Sequence, residues 1–193
     1  MKDKNRAIPV VLLAILWAAL YAGARWLSPF SPTVLTWDPV RFLPVVTAFV
    51  VPYVSFFLMP LLFAWFMPDD AVLMNRAIRA TSAIIVVSAL VFFFLPTEMI
   101  RPALDPAASW AAWLLDLIRH VDTPRNCFPS LHVSLAVFFG LGIGHLRPRW
   151  YAPTLAWVAV IALSTVLTRQ HYVADVLGGL VLGGLGWLYF IRK

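Results

Sequence analysis

Six long runs of apolar residues are the strongest constraint on how this chain of 193 residues can fold. A helix needs about 20 mostly apolar residues to cross the hydrocarbon core of a bilayer. Runs that reach or approach this length cover residues 8–27, 42–67, 77–95, 130–146, 151–168 and 172–191. They predict an all-α, polytopic membrane protein with six transmembrane helices. Because the runs take up most of the chain, we expect a single membrane domain over residues 1–193.

The composition excludes an ordinary water-soluble domain. Hydrophobic residues make up 62% of the chain and charged residues 12%, compared with about 45–50% and about 25% in soluble domains. The formal net charge is +6, but the cations stand at the ends of apolar runs and form no basic face, so no nucleic-acid partner is expected. The single cysteine allows no disulfide within the chain.

Lysine and arginine are distributed unevenly, and this bias predicts the orientation in the membrane. With the N-terminus in the cytoplasm, nine of the 15 cations lie on the inner side, and six spans bring the C-terminus back to that side. Lys2, Lys4 and Arg6 before the first apolar run also fit a signal peptide, but the length of the run favours a retained helix. The small size of the loops favours the inner membrane of a bacterium, with membrane lipids as partners.

The long connection over residues 96–129 has room for a helix between the third and fourth spans. Asp105 followed by Pro106 is a typical helix start, with the aspartate as N-cap. An apolar stripe at helical spacing follows, formed by Trp110, Trp113, Leu114, Leu117 and Ile118. We expect a short helix over about residues 106–120 that lies in the outer interface or caps the bundle.

Ionisable residues gather at the predicted outer ends of spans three to six. Such residues are rare at membrane depth, which makes each of them a candidate functional group. His171 and Asp175 are four residues apart, so both lie on one helix face and the carboxylate can fix the imidazole tautomer. This arrangement is typical of an oriented nucleophile or general base, although purely structural histidine–aspartate pairs share the spacing.

A second histidine and several phosphate-binding groups belong to the same predicted face. His132 follows Ser130 at the start of span four, where the N–H groups of a helix N-terminus can bind an anion and a histidine can protonate a leaving group. Arginine matches the oxygens of a phosphoryl group as a bidentate donor, and three are available: Arg101, Arg125 and Arg169. Together these residues predict a site for phosphoryl transfer.

Two of these segments resemble signature motifs of the type 2 phosphatidic acid phosphatase superfamily. Phe-Pro-Ser-Leu-His at residues 128–132 resembles the second motif and His-Tyr-Val-Ala-Asp at residues 171–175 the third, while Arg101-Pro102 resembles the end of the first. The resemblance implies that His171 attacks phosphorus and forms a phosphohistidine, that Asp175 orients it and that His132 protonates the leaving oxygen. It further implies phosphate binding by Ser130 and Arg101, a lipid phosphate as substrate, and no metal or other cofactor.

Three departures from the motifs indicate a particular branch of the superfamily. Phe94 and Thr165 stand where the first-motif lysine and the third-motif arginine are found, and Leu131 stands where many members have glycine. Arg125 and Arg169 are the candidates to replace the missing cations. With these departures the motifs resemble the branch of the inositol phosphorylceramide synthases, which pass a phosphoryl head group to an alcohol.

The expected function is therefore a metal-independent lipid phosphatase at the outer membrane face. The first alternative is a lipid phosphotransferase with an alcohol acceptor, and the second is a transporter that holds phosphate or another anion by its arginines. Transporters commonly contain internal repeats, and none is found here. A metal site of His132, His171 and Asp175 is disfavoured because nearby arginines repel cations. Cys127 is a weak candidate nucleophile because no separate base accompanies it.

Overall fold

The fold is described from a computed structural model that covers residues 7–122 and 124–190. Its α-helices are α1 (Ala7–Leu27), α2 (Val50–Ser55), α3 (Leu58–Phe66), α4 (Ala71–Phe94), α5 (Trp110–Val121), α6 (Leu131–Leu146), α7 (Tyr151–Leu167) and α8 (Val173–Phe190). No β-strand occurs in these residues, and two isolated bridges join Thr33 with Thr97 and Glu98 with Arg125. The prediction of an all-α chain is confirmed.

Apolar helices lie at all six predicted positions, and three of them in the described part of the chain are long enough to cross a membrane. These three are Thr47–Phe66, Ala71–Phe94 and Pro148–Leu167. The shorter apolar helices are Val11–Leu27, Leu131–Leu146 and Val173–Tyr189. The predicted end of the last span at Ile191 and the basic residues before Ala7 lie outside the described residues. Length and composition of the helices fit an integral membrane protein.

The second predicted span begins later than the sequence indicates. Instead of a helix from Phe42, the chain forms a 3-10 turn at Pro39–Phe42 and a second one at Thr47–Phe49, which continues into α2. Leu43, between the two turns, is extended, with φ −84° and ψ 146°. The reason is Pro44, since the residue before a proline is pushed out of the helical region.

The third predicted span begins six residues earlier than expected, at Ala71 instead of Ala77. Asp70 caps the helix, because its carboxylate accepts the N–H groups of Val72 and Leu73 at 2.8 and 3.1 Å. An N-cap aspartate satisfies donors that have no partner within the helix. Asn75, Arg76 and Arg79 interrupt the apolar pattern near the start of this helix, so the cap marks the boundary better than the apolar run does.

A break separates α2 from α3 at Phe56 and Phe57. Pro60 has no N–H to donate to the carbonyl of Phe56, four residues earlier, and that carbonyl instead accepts the N–H of Met59 at 2.9 Å. The proline therefore interrupts the helix within this span. It turns the aromatic residues at the end of α2 towards the start of α6.

The connecting helix α5 also begins later than predicted. Its N-cap is Ser109, whose hydroxyl accepts the N–H of Ala112 at 3.1 Å. Asp105, the expected cap, accepts the N–H of Ala107 in the preceding turn instead. One face of α5 is turned towards the protein: Ala111 and Leu115 pack in a buried cluster with Val50, and Ala112 is buried as well. The predicted apolar stripe divides: Trp110 and Trp113 are 66% and 57% exposed, whereas Leu114 and Ile118 pack against the buried cluster.

Helix α6 lies in the centre of the bundle, packed against α7 and α8 along its length and against α3 and α4 on its other faces. Glycines bring α8 unusually close to α6. A Cβ atom added to Gly183 would overlap the carbonyl oxygen of Ser134, and one added to Gly179 would lie 2.8 Å from the carbonyl oxygen of Ser130. Small residues at helix contacts permit this approach of two backbones in a membrane. The contact places the N-terminal ends of α6 and α8 side by side.

We predict that Gly183→Ala destabilises the protein, because the added methyl group must push apart two helix backbones. Overpacking of this kind costs about 1–3 kcal/mol. Gly184→Ala is the matched control, since a Cβ atom there meets nothing within 4 Å. Thermal unfolding in detergent should show a lower Tm for the first variant only. Equal Tm values for the two variants would contradict the close contact between α6 and α8.

Candidate active site

His171 and Asp175 form a buried pair at the start of α8. The Nδ1 atom of His171 lies 3.0 Å from the carbonyl oxygen of Cys127 and 3.3 Å from Oδ2 of Asp175. Both neighbours are acceptors, so Nδ1 must carry the proton, and the lone pair of the ring belongs to Nε2. The ring is 7% exposed and the aspartate is fully buried. The structure thus brings together the two residues that the sequence spacing places on one face.

Asp175 is held by backbone groups as well as by the histidine. Its Oδ2 accepts the N–H of Tyr172 at 2.8 Å, and its main-chain carbonyl accepts the N–H of Ser130 at 3.0 Å. The Oδ1 atom is buried and has no hydrogen-bond partner among the described residues. A carboxylate with so few donors keeps most of its negative charge available to stabilise a positive imidazole ring.

The N-terminus of α8 is closed by Asp38, which sequence analysis did not single out. Its carboxylate is fully buried and accepts the N–H groups of Val173 and Ala174 at 3.2 and 3.0 Å. It also accepts the N–H of Val40 at 2.9 Å in the turn that follows it. In the sequence, Asp38 followed by Pro39 indicates an N-cap for the turn at Pro39–Phe42. No sequence signal shows that the same side chain caps a helix 135 residues away.

His132 lies in the first turn of α6, close to His171. The centroids of the two imidazole rings are 6.1 Å apart. Tyr53 stacks on His132 at 4.7 Å and Phe56 packs against it at 4.9 Å. The Nε2 atom of His132 is buried and has no hydrogen-bond partner among the described residues. Two histidines from separate helices therefore stand next to each other within an aromatic enclosure.

Ser130 is the N-cap of α6, as the anion-binding hypothesis requires. Its hydroxyl is buried and accepts the N–H of Val133 at 3.4 Å. The first turn of any α-helix presents N–H groups without partners inside the helix, and these groups attract anions. The turn that carries His132 is therefore also a place where the oxygen atoms of a phosphoryl group can be held.

Arg169 ends α7 in a backbone conformation that usually requires glycine. Its φ is 56°, and the N–H groups of Arg169 and Gln170 donate to Val166 and Thr165 at 3.0 and 2.9 Å. This is the Schellman pattern of a helix C-terminus, in which the left-handed residue is most often glycine. An arginine there costs on the order of 1 kcal/mol in backbone strain.

Arg119 and Arg169 have their side chains fixed beside this helix end. Arg169 donates from Nη2 to the carbonyl oxygens of Arg41 and Leu43 at 3.1 and 2.6 Å. Arg119 donates to the carbonyls of Pro102 and Thr168 at 2.8 and 2.9 Å. The Nε atoms of both are buried without a partner among the described residues. Their guanidinium groups are thus fixed by main-chain carbonyls while other N–H donors remain available.

The charges of this cluster act on one another. Burial, followed by the neighbouring positive charges of Arg101 and Arg169, lowers the pKa of Arg119 to about 10. Because like charges are brought together only at a cost, the cluster is suited to an anion. Arg101 and Arg169 belong to the predicted phosphate-binding set, whereas Arg119 does not. In the sequence, the only feature that distinguishes Arg119 is its position on the face of α5 opposite the apolar stripe.

Arg125, the remaining predicted arginine, lies apart from the cluster. Its Nε atom is 3.7 Å from Oε2 of Glu98, and 47% of its side chain is exposed. It lines a shallow surface cavity with Arg25, Trp26 and Glu98. Exposed pairs of this kind contribute little to stability. The described contacts connect Arg125 to this surface and not to His132 or His171.

Cys127 contributes its main chain to the site. Its thiol donates to the carbonyl of Pro124 at 3.0 Å, and burial raises the pKa of the thiol well above its ordinary value. A thiol that resists ionisation is a poor nucleophile. Its carbonyl oxygen, by contrast, accepts from Nδ1 of His171. The geometry agrees with the low rank that sequence analysis gives to a thiol nucleophile.

Fold and site together define a helical membrane protein with a histidine–aspartate pair, a second histidine and an arginine cluster at one end of its bundle. The family model of the PAP2 superfamily matches residues 9–189. The chain therefore belongs to the PAP2 superfamily, whose members are generally phosphoryl-transfer enzymes. This finding confirms the family suggested by the motifs, while the synthase-like branch stays a prediction. Searches of curated proteins and of solved structures found no significant match.

We predict that Asp38→Ala costs stability and activity together. The change leaves three backbone N–H groups without their acceptor, two of them at the start of the helix that carries Asp175. The expected loss is roughly 2–4 kcal/mol in unfolding free energy, with a large drop in turnover.

Asp70→Ala is the control, since Asp70 caps α4 at an exposed position far along the chain from the histidines. We expect a cost of about 0.5–2 kcal/mol and normal turnover for this variant. Retained activity in Asp38→Ala would contradict the view that Asp38 positions the site.

Proposed function

We propose that the protein is a metal-independent lipid phosphatase that removes phosphate from a lipid phosphate through a phosphohistidine intermediate on His171. The observation that carries the proposal is the position of Nδ1 of His171 between the Cys127 carbonyl and the Asp175 carboxylate. It leaves Nε2 unprotonated, on a ring whose centroid is 6.1 Å from that of the His132 ring. Membership in the PAP2 superfamily supports phosphoryl chemistry on a lipid.

In the first step, Nε2 of His171 attacks phosphorus, and a P–N bond forms while the P–O bond to the lipid breaks. The positive charge that develops on the ring is stabilised by Asp175, which stays ionised. His132 gives a proton to the departing lipid oxygen. A histidine pair with these roles needs one neutral and one protonated ring at the start of the reaction.

In the second step, a water molecule attacks phosphorus and the P–N bond breaks, releasing inorganic phosphate. His132, neutral after the first step, takes the proton from the water and returns to its starting state. An alcohol in place of water would give a phosphotransferase instead. The departures in residues 94, 131 and 165 favour this second candidate function, and membership in the superfamily covers both reactions.

Phosphate binding is assigned to Arg101, Arg119, Arg169 and the α6 N-terminus capped by Ser130. Guanidinium groups bind pairs of phosphoryl oxygens in a bidentate geometry and are charged at neutral pH. Arg119 is assigned in place of Arg125, because Arg119 donates to the carbonyl of Thr168, the neighbour of Arg169, whereas Arg125 pairs with Glu98. The same positive cluster disfavours a bound cation.

For the membrane arrangement we propose six spans, cytoplasmic termini and a site at the outer face of a bacterial inner membrane. Helix α5 would lie in the outer interface, with Trp110 and Trp113 reaching the lipid; both are exposed in the structure. Tryptophan is enriched at this depth. A lipid phosphate could then present its head group to the arginines while its acyl chains stay in the bilayer.

The intermediate provides the direct test. Purified protein in detergent is mixed with a lipid phosphate that carries a ³²P label, and the acid-quenched and base-quenched protein is analysed for phosphohistidine. We expect labelled protein for the wild type, none for His171→Ala, and accumulation of label in His132→Ala with a substrate that has a good leaving group. Turnover of His132→Ala should fall by about 10²–10⁴-fold.

His145→Ala is the matched control, since His145 lies at the other end of α6 against Trp187, with ring centroids 5.3 Å apart. It should label and turn over as the wild type does. Full turnover in a folded His171→Ala variant, or label on another residue, would refute the mechanism. Phosphate flux without hydrolysis in both histidine variants would favour the anion transporter.

A further inference from the structure

Two arginines that the proposed mechanism does not use line one surface cavity. The cavity has a volume of about 280 Å³, and its walls are formed by Arg25, Trp26, Glu98, Pro124 and Arg125. Arg25 lies in the last turn of α1, and a backbone bridge joins Glu98 to Arg125 in the connection between α4 and α6. The cavity therefore lies where the end of α1 meets this connection.

Both guanidinium groups of this cavity have N–H donors available. Arg25 stacks on the ring of Trp26, with 4.6 Å between Cζ and the ring centroid. The Nε atom of Arg125 is 3.7 Å from Oε2 of Glu98, a distance at which the charges attract but no hydrogen bond forms. Neither arginine side chain donates a hydrogen bond to a described residue. With two positive charges and one negative charge, the cavity is suited to a singly charged anion.

An exposed apolar face of α1 runs from this cavity along the helix. Its residues recur at intervals of three or four positions, which places them on one side of the helix. They are Val11, Ile15, Ala18, Ala22 and Trp26, and all of them are exposed. From Ile15 to Trp26 the helix rises about 16 Å, which is about half the thickness of the hydrocarbon core of a bilayer. The face therefore has the length of the acyl chains of one leaflet.

We propose that this cavity binds the phosphodiester of a membrane phospholipid whose acyl chains lie along the exposed face of α1. Arg25 and Arg125 donate to the phosphodiester oxygens. Trp26 lies at the level of the head group, where tryptophan is enriched. The lipid is a bound partner and not the substrate, because the described contacts of the cavity do not reach either catalytic histidine. The inference therefore holds whichever reaction those histidines catalyse.

The observations favour a lipid over the other possible occupants of this face. Two copies of the chain related by an axis along the membrane normal would bring like ends of α1 together, and with them the same arginines, whose charges repel. Free phosphate has no part that contacts the apolar face. A phospholipid alone matches the positive cavity with its phosphodiester and the apolar helix face with its acyl chains.

Phosphatidylglycerol is the probe in the test, and native mass spectrometry of the full chain in detergent measures its binding. We expect the wild type to bind it more tightly than diacylglycerol, which has acyl chains but no phosphodiester. Arg25→Gln and Arg125→Gln should each weaken binding of phosphatidylglycerol by about fivefold, the effect of one cation beside an anionic head group. Binding of diacylglycerol should stay the same. Arg149→Gln is the matched control, because Arg149 is an exposed arginine that also precedes a tryptophan but follows the C-terminal end of α6.

Glu98→Gln tests the same cavity in the opposite direction. The change removes the one negative charge of the cavity and releases Arg125 from its ion pair. Phosphatidylglycerol should therefore bind about fivefold more tightly than it does to the wild type. A protein that misfolds does not gain affinity for one lipid, so this variant decides the question if an arginine variant does not fold.

Unchanged binding of phosphatidylglycerol in both arginine variants, or an equal loss in Arg149→Gln, would overturn the lipid site. If the arginine variants do not fold, an affinity of Glu98→Gln that is no higher than that of the wild type would overturn it. Displacement of the lipid by an equal concentration of inorganic phosphate would indicate a free-phosphate site instead. A mass spectrum of a dimer without bound lipid would assign the face to a second copy of the chain and contradict the proposal.

Discussion

The contact between the N-terminal ends of α6 and α8 is the interaction on which the site depends. The glycine-lined approach of the two helices allows the N–H of Ser130 to reach the main-chain carbonyl of Asp175 at 3.0 Å. One helix brings His132 and the other brings the carboxylate that orients His171. In an apolar bundle few polar contacts compete with this one, and an unsatisfied backbone group would cost several kcal/mol. Close packing and hydrogen bonding thus fix the same geometry.

Buried charges around the site are held mainly by backbone groups and not by one another. Asp38 accepts N–H groups at the start of α8, Asp175 accepts that of Tyr172, and Arg169 donates to two carbonyls of the segment before α2. A charge stabilised in this way keeps its position without being neutralised by an opposite charge. The arginine cluster therefore retains positive potential for an anion. The strained backbone of Arg169 is part of the cost of placing that charge.

Sequence patterns predicted the parts of this structure that follow from local rules. The apolar runs located all six apolar helices, and the spacing of His171 and Asp175 predicted their contact. The predicted starts of three helices were wrong, because a cap or a proline sets the start in each case: Asp70 for α4, Pro44 for the second span and Ser109 for α5. Asp38 and Arg119 were not found because their partners lie far away in the chain, and no periodicity records such contacts. Arg125 was included by charge alone, and only coordinates separate an exposed ion pair from an anion cluster.

The central claim is that His132 and His171 act on opposite sides of one phosphorus atom. An experimental structure with vanadate, which adopts the geometry of phosphorus during transfer, tests it most directly. The account predicts a bond between vanadium and Nε2 of His171, an apical oxygen facing His132, and equatorial oxygens near Ser130 and the arginine cluster. Vanadate bound at the exposed Arg125–Glu98 surface, or bonded to His132 instead, would contradict it.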